Sequence, residues 1–172
     1  MSLPVPHNAI VIAAVAGSAG ASAVMDLRTR RVPNWLTLGI TALGMTLAAA
    51  HWTDRSIAAA LGGFAVGLLV MLPGHIVGAT GAGDVKLFAA VGTLLGPTGI
   101  AVAFVYTAIF GGALALTVAI FRGRLHHTLQ ETATLVVTGG ANVNQIERPS
   151  ADNRFANAPA IALGALVAAL GF

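Results

Sequence analysis

The chain has 172 residues, 56% hydrophobic and only 9% charged, with a mean hydropathy of +0.84. Soluble domains carry roughly a quarter charged residues, so this composition excludes an ordinary water-soluble domain, which would expose large apolar patches. Nine Lys/Arg against six Asp/Glu leave a formal charge of +3, scattered rather than striped, which argues against a nucleic-acid partner, and the absence of cysteine excludes disulfides, thiolate catalysis and cysteine-based zinc sites.

At about 20 residues per crossing, the chain reads as a single all-α domain over 1–172, a polytopic transmembrane bundle of about six spans. The first span is expected at 9–25. It has no basic region ahead of it and no clear Ala-x-Ala cleavage site, so it reads as retained rather than cleaved. Asp26-Leu27-Arg28-Thr29-Arg30-Arg31 follows, and Val32-Pro33-Asn34 breaks the helix, because proline lacks an amide proton and restricts its predecessor. The second span is expected at 35–50 and the third at 57–72, stopping at Pro73-Gly74-His75. The glycine-rich stretch from Ile76 to Gly83 is a poor helix. The fourth span is expected at 85–95, with a start as early as 76 allowed, and ends at Gly96-Pro97. It is short for a bilayer unless it starts early or is buried in the bundle beside a wet cavity. A fifth span at 98–121 and a sixth at 156–172 complete the set. Gly62, Gly63 and Gly67, with Gly111 and Gly112, are expected to permit close helix approach.

Six spans put Arg28, Arg30, Arg31, Lys86, Arg122, Arg124, Arg148 and Arg154 on one side and Arg55 on the other. The basic side is expected to be cytoplasmic, with both termini outside. The same parity puts Asp26 and Asp84 near the cytoplasmic interface. Acids at the edge of hydrocarbon are costly and mark functional sites. Two neighbouring carboxylates cannot both ionise easily and can share a proton. One then serves as a base toward water, while the protonated one polarises a carbonyl or protonates a departing nitrogen, with neither metal nor cofactor. The bland alternative is that each aspartate merely ends a span at the interface.

Around these acids, Gly81 and Gly83 lack side chains and allow close approach to Asp84. Lys86 reads most simply as an interfacial snorkelling cation. Pro33 and Asn34 shape the turn after Asp26, and Asn34 can cap the second span. Arg28, Arg30 and Arg31 enforce topology and can touch lipid head groups. Glu131, Glu147 and Asp152 suit attraction of a basic peptide, although ordinary loop charges are the simpler reading. His75, His126 and His127 lack a nearby acidic ligand pattern, which argues against a metal site. The stretch Leu125 to Val137 is compatible with an interfacial segment.

Asp26 ahead of Arg31-Val32-Pro33-Asn34, followed by Gly81-Ala82-Gly83-Asp84-Val85-Lys86-Leu87, resembles the paired signatures of the prepilin peptidase family. The resemblance is close from Met25 to Gly96 and looser at Ala158-Pro159-Ala160-Ile161-Ala162-Leu163-Gly164. It implies an integral inner-membrane aspartic endopeptidase of the Gly-x-Gly-Asp type, without cofactor, that removes short basic leaders from pilin or pseudopilin precursors at the cytoplasmic face. Asp26 and Asp84 take the positions of the catalytic pair. Larger members resembling this family carry a cysteine-containing cytoplasmic portion and also methylate the new N-terminus; its absence here argues against methyltransferase activity. The small size resembles peptidases of tight-adherence (Flp) pili. Two other functions compete: a small transporter with the aspartates as a proton or ion relay, and a noncatalytic pilus-assembly factor acting through glycine-rich helix faces. Neither accounts for both aspartate contexts, and oligomeric state is not encoded legibly.

Overall fold

A computed structural model describes residues 7–29, 32–76, 80–121 and 158–171. Arg30, Arg31, Arg122, Arg124, Arg148, Arg154, Glu131, Glu147, Asp152, His126, His127 and the stretch Leu125 to Val137 lie outside the described residues. Among the described residues the secondary structure is helical: α1 (His7–Thr29), α2 (Asn34–Ala49), α3 (Ile57–Ile76), α4 (Ala82–Phe121) and α5 (Ala158–Ala169). By length and composition, Ala9–Thr29, Ile57–Ile76 and Ala82–Thr117 are long and apolar enough to cross a membrane, and α2 and α5 are shorter apolar helices. The chain is a membrane protein.

The helix ends differ from the sequence expectation by a few residues: α4 opens at Ala82 rather than 85, and α5 covers Ala158–Ala169 rather than 156–172. α1 continues a turn beyond Met25, so Asp26 lies within the helix. Arg28 in that last turn complements the negative end of the helix dipole. α3 runs through Pro73 to Ile76. Proline there leaves the Leu69 carbonyl without its intrahelical donor, yet the helix continues three residues beyond it.

Gly96 divides α4 with φ 70 and ψ 179, a left-handed conformation that glycine adopts without steric cost. Pro97 then opens the second arm with φ already preset for a helix. The arms, 82–95 and 97–121, fold back on each other. On an unbroken helix Phe88 and Phe104 would be about 24 Å apart, yet their rings pack edge-to-face with centroids 6.2 Å apart. The Arg55 guanidinium, from the α2–α3 connection, donates from Nη1 to the Leu94 carbonyl at 2.6 Å. It thereby satisfies one of the orphan acceptors at the end of the first arm.

That first arm is the centre of the bundle. Leu87, Phe88, Ala89, Ala90 and Val91 are each no more than 1% exposed, and five successive buried residues require neighbours on every side of a helix. At about 21 Å the arm is short because protein surrounds it. Its neighbours approach through glycines. A Cβ on Gly44 of α2 would strike the Thr93 side chain, and one on Gly63 of α3 would strike the Gly92 carbonyl. One on Gly67 would come within 2.9 Å of the Phe88 carbonyl oxygen. Gly164 of α5 meets the second arm in the same way, against the Thr107 amide nitrogen at 2.6 Å and the Ala103 carbonyl oxygen at 2.7 Å. Gly111 and Gly112 do not serve as such contacts. A Cβ on Gly112 would meet nothing within 4 Å, and one on Gly111 would reach only the Ala160 methyl at 3.8 Å.

Candidate active site

Val15, Ser18, Ala19, Ser22 and Asp26 are buried along α1, the spacing of a single helical face. The local pattern therefore turns Asp26 inward, leaving it 6% exposed. The Ser22 hydroxyl donates to the Ser18 carbonyl at 2.7 Å, which keeps the polar stripe satisfied within its own helix. Asp26 finds its partner elsewhere. Its Oδ2 accepts from the Ala158 amide at 3.2 Å, 132 residues away in sequence. Ala158 opens α5, whose first-turn N–H groups have no intrahelical acceptor. A carboxylate there is favoured by the hydrogen bond and by the positive end of the helix dipole.

Asp84 occupies the first turn of α4. Gly81 starts the turn, its carbonyl accepting from the Asp84 amide at 3.0 Å and the Val85 amide at 3.2 Å. The carboxylate folds back over this glycine: Asp84 Oδ2 is 3.4 Å from where a Gly81 Cβ would stand. Gly83 faces Val32, with a hypothetical Cβ 3.6 Å from the valine Cβ. Both are ordinary van der Waals separations, so these two glycines pack the segment closely without being sterically obligatory.

The turn after α1 and the turn before α4 are tied together. Lys86 Nζ donates to Asn34 Oδ1 at 3.2 Å. Asn34 thus does not cap α2, contrary to the sequence expectation. It is the first residue of the helix, and Pro33 holds the capping position in extended conformation with no side-chain bond. The Pro33 carbonyl instead accepts from the Leu36 and Thr37 amides at 3.1 and 3.4 Å. His75 Nδ1 lies 3.0 Å from the Thr80 carbonyl oxygen, and the Thr80 amide donates to the Gly74 carbonyl at 3.1 Å. Both contacts fasten the connection leading to Asp84. Among the described residues, no three His, Cys, Asp or Glu side chains gather as a metal site.

Beside Asp84 lies a cavity of about 260 Å³, walled by Met71, Phe104, Gly111, Ala160 and Ile161 among others. Ala160 and Ile161 belong to the α5 turn whose first amide holds Asp26. The two aspartates therefore flank one helix start, at one end of the bundle, while Arg55 and Gly96 mark the opposite end. The role of α5 is the feature that residue-by-residue reading missed. Its one local signal is Pro159, a residue suited to the first turn of a helix.

This is a polytopic helical membrane protein with two acids at one end of the bundle, one of which, Asp84, lines an apolar cavity. The chain belongs to the type IV leader peptidase family, which it matches over residues 11–116. It is accordingly a protease of the leader-peptidase kind, a class that processes pilin precursors. No curated protein and no solved structure matches it. The matched region ends before α5, so the helix that holds Asp26 lies outside it.

Proposed function

We propose that the chain is an aspartic endopeptidase that cleaves the short basic leader of pilin-like precursors at the cytoplasmic face of the membrane, with Asp26 and Asp84 activating water. The observation that carries this reading is the convergence of the two aspartates on the start of α5, one through the Ala158 amide and one through the cavity shared with Ala160 and Ile161. The ionised carboxylate takes a proton from water, whose oxygen attacks the scissile carbonyl carbon. The protonated carboxyl donates to the carbonyl oxygen. Collapse of the tetrahedral species then breaks the C–N bond, with a proton passing to the departing nitrogen.

Six crossings, supplied by α1, α2, α3, the two arms of α4 and α5, put the basic end of the chain in the cytoplasm and both termini outside. Arg28 and Lys86 at the aspartate end, against Arg55 at the other, support that orientation. The absence of cysteine favours peptidase action without methyl transfer.

The test is mass spectrometry of a short-leader pilin precursor incubated with purified protein in liposomes, comparing wild type with Asp26→Asn and Asp84→Asn. Cleavage by wild type alone is expected, with loss of activity of at least 1000-fold in each folded variant. Equal cutting by either variant would remove that aspartate from the mechanism, and an added methyl mass would overturn the peptidase-only reading.

A further inference from the structure

Among the described residues, two buried side-chain hydroxyls have no hydrogen-bond partner, those of Thr80 and Thr107. Both residues line the cavity that Asp84 lines. Thr107 is 9% exposed and sits on the second arm of α4, while Thr80 lies just ahead of the Gly81 turn. Among the described residues, several helical hydroxyls return to their own backbone. Ser22, Thr29, Thr41, Thr46 and Thr117 each donate to the carbonyl four residues back. The Thr107 hydroxyl does not. A buried hydroxyl left unpaired is destabilising, and native structures tolerate few such groups without a functional reason.

The occupant that removes this cost is a peptide main chain. Hydrolysis needs a bond whose carbonyl is accessible, so the substrate must be unwound at the cut. Its freed N–H and C=O groups then enter an apolar space, walled by Met71, Phe104 and Ile161, where unpaired backbone is unfavourable. We propose that Thr80 and Thr107 are peptide-binding residues, their hydroxyls pairing with the main chain of the unwound segment beside Asp84. Rotation about χ1 exchanges hydroxyl and methyl at a threonine, which brings either hydroxyl to the cavity when the peptide arrives. Gly164 leaves room for this at Thr107, because a Cβ there would strike the Thr107 hydroxyl oxygen.

The inference rests on the peptidase reading, and its test separates the two. Thr80→Val, Thr107→Val and the corresponding serine variants are compared for melting temperature in detergent and for kcat and KM on a pilin precursor. Binding of the same precursor is measured in the Asp84→Asn background, where no cleavage is needed. Valine keeps the shape and deletes the hydroxyl, so each Val variant is expected to melt at or above wild type. It should lose about five- to tenfold in kcat/KM and in affinity, with serine restoring both. Val variants that bind and cut like wild type overturn the proposal. So does a Val variant melting well below wild type, since that hydroxyl would then be bonded within the protein. If wild type cuts nothing, the peptidase reading fails, and binding decides the hydroxyls: weaker binding by the Val variants sustains them, whereas equal or absent binding overturns them.

Discussion

Gly63→Ala is expected to weaken the contact that holds the aspartate-bearing arm of α4 in place. A Cβ at Gly63 would fall onto the Gly92 carbonyl oxygen, with Gly92 C and Gly96 Cα both at 2.8 Å. All three atoms are backbone, so no side chain can swing aside. Relief requires α3 and the first arm to part by about 1 Å, which forfeits roughly a quarter to a half of the dispersion well along the seam. Overpacking of this kind costs about 3 kcal/mol, the upper part of its usual range. Against it stands the gain of about 1 kcal/mol that alanine brings to a helix interior over glycine, leaving a net loss near 2 kcal/mol. Gly39→Ala on α2 is the control. It has the same propensity gain, and its Cβ would meet nothing within 4 Å, so it should stabilise by about 1 kcal/mol. The variants then differ by about 3 kcal/mol, or roughly 6–12 °C in melting temperature for a chain of this size. Thermal unfolding in one detergent, followed by tryptophan fluorescence, measures it. Gly63→Ala melting at or above Gly39→Ala would refute the close-approach argument.

Other consequences are equally direct. The Lys86–Asn34 bond is exposed, so a double-mutant cycle with Lys86→Met and Asn34→Ala should give a coupling of about 1 kcal/mol or less in stability; coupling above about 3 kcal/mol would mean a buried pair. Arg55→Met removes the charged donor to the Leu94 carbonyl and should cost about 1.5–3 kcal/mol, read as a lowered melting temperature; no change would deny the cap. Burial pulls the Arg55 pKa below its ordinary value, with Asp54 opposing. A cation whose folded pKa is lowered yet stays charged in both states through the neutral range contributes no slope there, so the Arg55→Met loss should be the same at pH 6 and pH 8. The chain has two tryptophans. Trp35 and Trp52 are 66% and 61% exposed and stand at opposite ends of α2, a 16-residue helix about 24 Å long. If α2 crosses the bilayer, both sit at interfaces. Single-tryptophan variants (Trp35→Phe, Trp52→Phe) should then be quenched more by shallow than by deep brominated acyl chains; preferential deep quenching of either would refute the crossing.

Much of this architecture is written in local sequence. Hydropathy and the scarcity of charge dictate apolar helices, and Pro33 and Gly96-Pro97 mark breaks. The Gly81–Lys86 stretch marks a break beside an acid, but the helix there opens at Ala82, three residues ahead of the expected start at 85, so that Asp84 falls in its first turn. Pro73 misleads locally, since its missing amide costs one backbone bond without ending the helix, which runs on to Ile76.

The tertiary structure alone decided what those acids meet. Asp26 is held by an amide 132 residues away, and no local periodicity encodes which distant helix start will be the donor. Asn34 answers Lys86 rather than capping its own helix, because the two turns come together only when α2 and α4 pack. Thr80 and Thr107 share a cavity because α4 doubles back at Gly96 and α5 closes over the second arm. Sequence determines where helices start, stop and turn their apolar faces, through forces acting within a few residues. Which polar groups are satisfied, and which are buried without a partner, depends on how those helices pack.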